Sequence, residues 1–155
     1  MVTDIEYVQM EGAAYVSNRS EGNRFPIPAG WKPLRYKPYP SGFEAVAFQR
    51  GNEIVISFAG TGPGLNPDWI ANGGLATGLG SEQLYQAAEY YLQIKALYPD
   101  AEISFTGHSL GGGLAALLGV FFDKKAVTFD QAPFQNSATE SVRDKNIRFM
   151  TTLAG

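Results

Sequence analysis

Residues 107–112 read Gly107-His108-Ser109-Leu110-Gly111-Gly112, and the patterns on either side restrict what can be built around them. Before them, Glu102-Ile103-Ser104-Phe105-Thr106 alternates with the period of a strand. After them, Leu114 to Phe122 is an apolar run that reads as a buried helix. Gly-x-Ser-x-Gly between a strand and a helix marks a tight turn. Glycine at its first and last positions lets the two elements approach where a Cβ would clash. The serine between them projects outward at the helix N-terminus, where the first N–H groups lack intrahelical acceptors and the dipole favours an anion.

That geometry has a chemical use. A serine hydroxyl is a poor nucleophile until a base takes its proton, but a turn of this kind already exposes it. Ser109 is the candidate nucleophile, and the backbone N–H of Leu110 is a natural donor to a developing oxyanion.

The rest of the chain is consistent with an α/β architecture. Residues 1–42 read as irregular, with five of the nine prolines interleaved with Phe25, Trp31, Tyr36 and Tyr39. Proline fixes φ and removes a donor, so an extended wrap is expected there. Its cations Arg24, Lys32, Arg35 and Lys37 suit either an anionic or lipid contact or, in the preferred reading, a solvated arm. Phe43–Gln49 and Glu53–Phe58 read as a hairpin about Arg50-Gly51-Asn52, followed by a loop rich in glycine, proline and asparagine over 59–80. Residues 81–98 carry a helical stripe of Leu84, Ala87, Tyr91, Ile94 and Tyr98, with Ser81 as the expected cap and Pro99 as the stop. Ala126–Phe129 and Asn146–Leu153 read as further strands. Strand, helix, strand, helix, strand is the rhythm of a mostly parallel sheet. The expected division is an N-terminal wrap over 1–42 and a core over 43–155, together one domain of 155 residues.

Composition narrows the function by exclusion. A net charge of −3 gives no support for nucleic-acid binding, and no metal-ligand spacing or cofactor motif is present. Cysteine is absent, which excludes disulfides without indicating a compartment. The N-terminus lacks the pattern of a signal peptide, and no apolar run is long enough to span a membrane.

Several segments, in order, resemble the class 3 lipases, an α/β-hydrolase family of triacylglycerol lipases, phospholipases and feruloyl esterases. Ile54-Val55-Ile56-Ser57-Phe58-Ala59-Gly60-Thr61 resembles the family strand that ends in Phe-Arg-Gly-Thr/Ser, with Ala59 where arginine is usual. Asp68-Trp69-Ile70, the block from Tyr98-Pro99 to Gly112, and Val127–Pro133 complete the likeness, which covers about residues 43–135. The resemblance implies an acyl-lipid ester as substrate and Thr61 as a second oxyanion donor, through its backbone N–H; taken alone, Thr61 reads as a plain turn residue. It also implies a lid over 63–73, in which Trp69 either faces lipid or simply anchors the loop.

The partners of Ser109 are harder to find. His108 is the single histidine and precedes the serine on the same turn, so a structural role is expected for it. Asp130, 21 residues past Ser109, is the best candidate acid present, although a loop-capping aspartate is the preferred reading. The family's acid and histidine come after the last strand. The expectation is therefore an α/β-hydrolase core that is incomplete at its C-terminus, cleaving carboxylic esters through an acyl-serine with its base supplied from elsewhere. The alternative is a lipid- or partner-binding module without turnover on the same fold. A thioesterase or acyltransferase using the same turn is a weaker third reading.

Overall fold

The computed structural model of the chain describes residues 1–14, 26–60 and 78–129, the side chains of 78–81 excepted. Within them the order is α1 (Asp4–Ala13), β1 (Lys32–Pro38), β2 (Glu44–Arg50), β3 (Glu53–Ala59), α2 (Gly78–Leu97), β4 (Glu102–His108), α3 (Leu110–Phe122) and β5 (Ala126–Phe129). The five strands form one sheet in the order β1-β2-β3-β4-β5. β1, β2 and β3 form an antiparallel meander, and β3, β4 and β5 run parallel. The α/β architecture is as expected, but the described part of the sheet is mixed rather than mostly parallel, because the chain enters it through the meander.

β2 and β3 read as nearly continuous apolar runs because helices cover both faces of the sheet there. On one face Ala45, Ile56, Phe58 and Phe105 pack with Tyr91 of α2 and Leu114 of α3. On the other, Val46, Phe48, Val55 and Ala59 pack with Tyr7 and Met10 of α1. Sandwiching β3 and β4 in this way makes them the rigid platform from which the turn at 107–112 springs.

The segment 1–42, expected to be irregular, holds a helix and a strand. α1 starts with a capping box: Glu6 N–H donates to Thr3 Oγ1 at 3.2 Å, and Thr3 N–H donates to Glu6 Oε2 at 2.9 Å. The signal Thr-x-x-Glu is in the sequence, but only Tyr7, Met10, Gly12 and Ala14 are buried, too sparse a stripe to stand out. β1 accommodates Pro33 and Pro38 because it is the edge strand among the described residues, with a register shift between Pro33 and Arg35. α2 starts at Gly78, so Ser81 lies inside the helix and does not cap it. The strand expected over 146–153 lies outside the described residues.

Two polar contacts tie α1 to the platform. Arg50 donates to Glu6 at 2.6 Å while its guanidinium lies 4.5 Å from the Trp31 ring centroid. Partial burial alone would raise the Glu6 carboxyl, but the Thr3 N–H and the Arg50 cation outweigh it and hold the group below its ordinary value. Deeper in, the Tyr7 and Ser104 hydroxyls bond each other at 2.9 Å across 97 residues of sequence. Tyr7→Phe strips Ser104 of this partner in a buried position and should cost about 1–3 kcal/mol in urea unfolding. The double variant Tyr7→Phe/Ser104→Ala should recover most of that loss. A Tyr7→Phe variant as stable as the parent would mean that the bond contributes nothing.

Candidate active site

The turn at 107–112 is built by contact between β3, β4 and the first residues of α3. A Cβ added to Gly107 would lie 2.4 Å from the backbone oxygen of Gly111, and one added to Gly111 would lie 2.0 Å from Phe58 O. Neither distance admits a side chain. The structure therefore supports the sequence reading of these two glycines. It also shows α3 starting at Leu110, four residues before the apolar run from which the helix was read. The run Gly111-Gly112-Gly113 forms its first turn, where helix propensity is poor and only the tight approach to β3 and β4 accounts for it.

Ser109 is the hinge of this arrangement. Its backbone sits at φ 53° and ψ −117°, a region costing about 1–3 kcal/mol for a non-glycine residue. Two main-chain bonds hold it there: Ser109 N–H donates to Phe129 O at 3.1 Å, and Gly113 N–H donates to Ser109 O at 3.0 Å. Thr106 Oγ1 donates to Val127 O at 2.7 Å and fastens β4 to β5 just below. Although Ser109 is the residue preceding α3, its hydroxyl makes no capping bond, so the side chain is not spent on the helix. It is half-buried at the carboxyl ends of the parallel strands, the end at which open α/β sheets bind ligands.

Leu110 follows with its side chain buried and its N–H in the first turn of α3, where no intrahelical acceptor is in reach. A Cβ on Gly60, just past β3, would lie 2.8 Å from Leu110 Cγ and 3.1 Å from Gln83 Oε1. Gly60 thus lies directly against Leu110, and Thr61 is the next residue in the sequence. Gln83 is the one contributor to this corner that the sequence did not suggest. It is fully buried in α2, and its Nε2 donates to Ser41 O at 3.4 Å. A glutamine next to the apolar stripe of Leu84 and Ala87 carries no periodic signal of its own.

His108 closes β4, half-buried, with Phe129 as its Cα partner on β5. Thr61, Trp69 and Asp130 lie outside the described residues. β5 ends at Phe129, which pairs with His108 at the Ser109 end of the sheet. Among the described residues no group of three His, Cys, Asp or Glu could hold a metal ion, and no helix is long and apolar enough to cross a membrane. A cavity of about 690 Å³ lined by Tyr7, Glu53, Glu102, Ser104 and Lys125 opens at the opposite end of β3 and β4, away from this chemistry.

Comparison with known proteins points in the same direction as this geometry. The family model of the Tle-like phospholipase domain matches residues 27–150. The extracellular phospholipase A1 of Serratia liquefaciens is 33% identical over 132 residues, which cover 85% of this chain and 40% of that protein. Among solved structures, the lipase of Rhizopus microsporus var. chinensis superposes with a TM-score of 0.56 at 18% identity, covering 81% of this chain and 54% of the other. The Lip2 lipase of Yarrowia lipolytica gives 0.53 at 19% identity, covering 82% and 56%. The chain therefore spans less than two thirds of the length of these relatives, and the lipase resemblance read from its sequence is borne out in fold and family. With most of its length inside that family model, the chain belongs to the Tle-like phospholipase domain family and has the α/β-hydrolase fold of the lipases.

Proposed function

We propose that this chain carries the nucleophile and oxyanion donors of a hydrolase acting on carboxylic esters of lipids. The observation that carries this reading is the backbone of Ser109, held at a positive φ between β4 and α3 with its hydroxyl unused by the helix. Strain of this kind persists only where the surroundings enforce it, and Gly107, Gly111 and Phe129 do so here.

In this reading Ser109 Oγ attacks the ester carbonyl carbon as a base takes its proton, and the tetrahedral oxyanion is held by the N–H of Leu110. Thr61, one residue beyond Gly60, supplies the second N–H. Collapse expels the alcohol, which takes up the proton, and leaves an acyl-serine; water then releases the acid. Two donors aimed at the developing charge supply several kcal/mol in the transition state. Asp130 is the candidate acid within these residues. His108 adjoins the nucleophile on the strained turn, so the base comes from outside the 155 residues. The lipid class rests on the family and on the Serratia phospholipase. Trp69, between β3 and α2 in the sequence, is the candidate lid residue.

The test is covalent. A fluorophosphonate probe incubated with the full-length protein should mark one serine, and peptide mapping should place the adduct on Ser109. A folded protein that takes up no probe, or takes it up elsewhere, would move the fold to a binding module without turnover.

A further inference from the structure

The sequence has a net charge of −3, yet β1 contains Lys32, Arg35 and Lys37 and no acid. Lys32 and Arg35 are exposed and Lys37 is half-buried. Among the described residues every ion pair involves Arg50 or the terminal amine with Glu6 or Glu53, and none takes a cation of β1. The acid facing this strand across the ladder is Glu44, opposite Pro38; it is buried and receives the Tyr36 hydroxyl at 2.5 Å.

Among the described residues β1 is also the margin of the sheet, and Pro33 and Pro38 leave gaps in its row of N–H donors. Prolines and lysines on an edge discourage pairing with a further strand. Blunting an edge, however, does not require that all its charges share one sign. Aromatic rings flank the cations: Lys37 Nζ lies 4.8 Å from the Tyr39 ring centroid, and Tyr36, on the other face of the strand, is 38% exposed. Long cationic stems beside tyrosines suit a boundary between water and an apolar phase.

The strand also leads to the right place. Lys37 pairs with Ala45, Ala45 with Phe58, and Phe58 with Gly107, so one register row joins the basic margin to the turn that carries Ser109. Three inter-strand steps separate them, roughly 14–15 Å at the usual spacing. We propose that β1, through Arg35 and Lys37 with Lys32 behind them, is a contact surface for anionic phospholipid bilayers that brings the Ser109 end of the sheet to the membrane. The choice of a bilayer over another polyanion rests on the proposed function; the charge pattern itself does not.

The experiment separates the two ideas by using full-length protein carrying Ser109→Ala, so that turnover plays no part. Flotation with phosphatidylcholine vesicles, with and without phosphatidylglycerol, should show binding only to the anionic set, weakened by added salt. Arg35→Gln/Lys37→Gln should lower that affinity about 25-fold, roughly fivefold per cation, and Arg35→Glu/Lys37→Glu should lower it further, with unchanged thermal unfolding. Equal binding to both vesicle types, undiminished binding by the charge variants, or binding to heparin but not to vesicles would each overturn the proposal. Failure of Ser109 to take up the fluorophosphonate probe would leave this result standing.

Discussion

Gly111→Ala should leave little or no folded protein. The added methyl carbon would lie 2.0 Å from Phe58 O, 2.9 Å from Phe58 C and 3.3 Å from Gly60 N. All three are main-chain atoms, and Phe58 sits in a strand paired on both sides, with Ala45 and with Gly107. No rotamer change relieves such an overlap. Either β3 leaves its ladder or α3 backs away, and the second route opens the cluster in which Leu110, Leu114 and Leu118 are buried against the sheet. Losses above about 4–5 kcal/mol are exceptional for one substitution, and they approach the whole stability of a domain, about 5–15 kcal/mol. Soluble yield and thermal unfolding check the outcome. Gly51→Ala is the comparison: Gly51 also has positive φ, 57°, but nothing lies within 4 Å of its added Cβ. Its loss should stay near the backbone cost of about 1–2 kcal/mol. If the two variants unfold alike, steric contact with β3 is not what demands glycine at 111.

The same contrast shows what was legible beforehand. Gly107, Ser109 and Gly111 could be read because a three-residue pattern and its flanks dictate one local geometry. The strands around it followed from short-range periodicity, and β5 was located to the residue. The start of α3 was missed because three glycines disguise a helical turn that close packing imposes. α1 is not legible because its sparse buried face gives a weak stripe, and its polar ties to the sheet are to Arg50 and Ser104, 44 and 97 residues away. Gln83 stayed hidden for a related reason. Its position against Gly60 and Leu110 results from packing α2 over the sheet, and no local pattern encodes a crossing of that kind. Local rules located the nucleophile candidate; the long-range contacts that hold it had to be seen.

Replacing Ser109 should then separate strain from chemistry. Its φ of 53° and ψ of −117° are the mirror image of the extended first position of a type II turn, near −60° and about +120°. For an L residue this is a costly region, whereas glycine occupies it freely. Ser109→Ala keeps the Cβ and with it the strain; Ser109→Gly removes both. Glycine adds unfolded-state entropy of about 0.5–1 kcal/mol, which offsets part of the relief of about 1–3 kcal/mol. Ser109→Gly should therefore be more stable than Ser109→Ala by up to roughly 2.5 kcal/mol, read as a shift in the urea midpoint at unchanged slope. Both variants should lose lipid-ester turnover in the full-length protein by about 10⁴-fold or more, as removal of a nucleophile does elsewhere. A glycine variant less stable than the alanine variant by the entropic cost of about 0.5–1 kcal/mol would show that the turn is not strained at 109. Turnover surviving in Ser109→Ala would show that the reaction does not pass through this hydroxyl. If stability rises while activity vanishes in the glycine variant, the strained serine is kept at a cost to the fold, and a cost of that kind is expected where a side chain is held for chemistry.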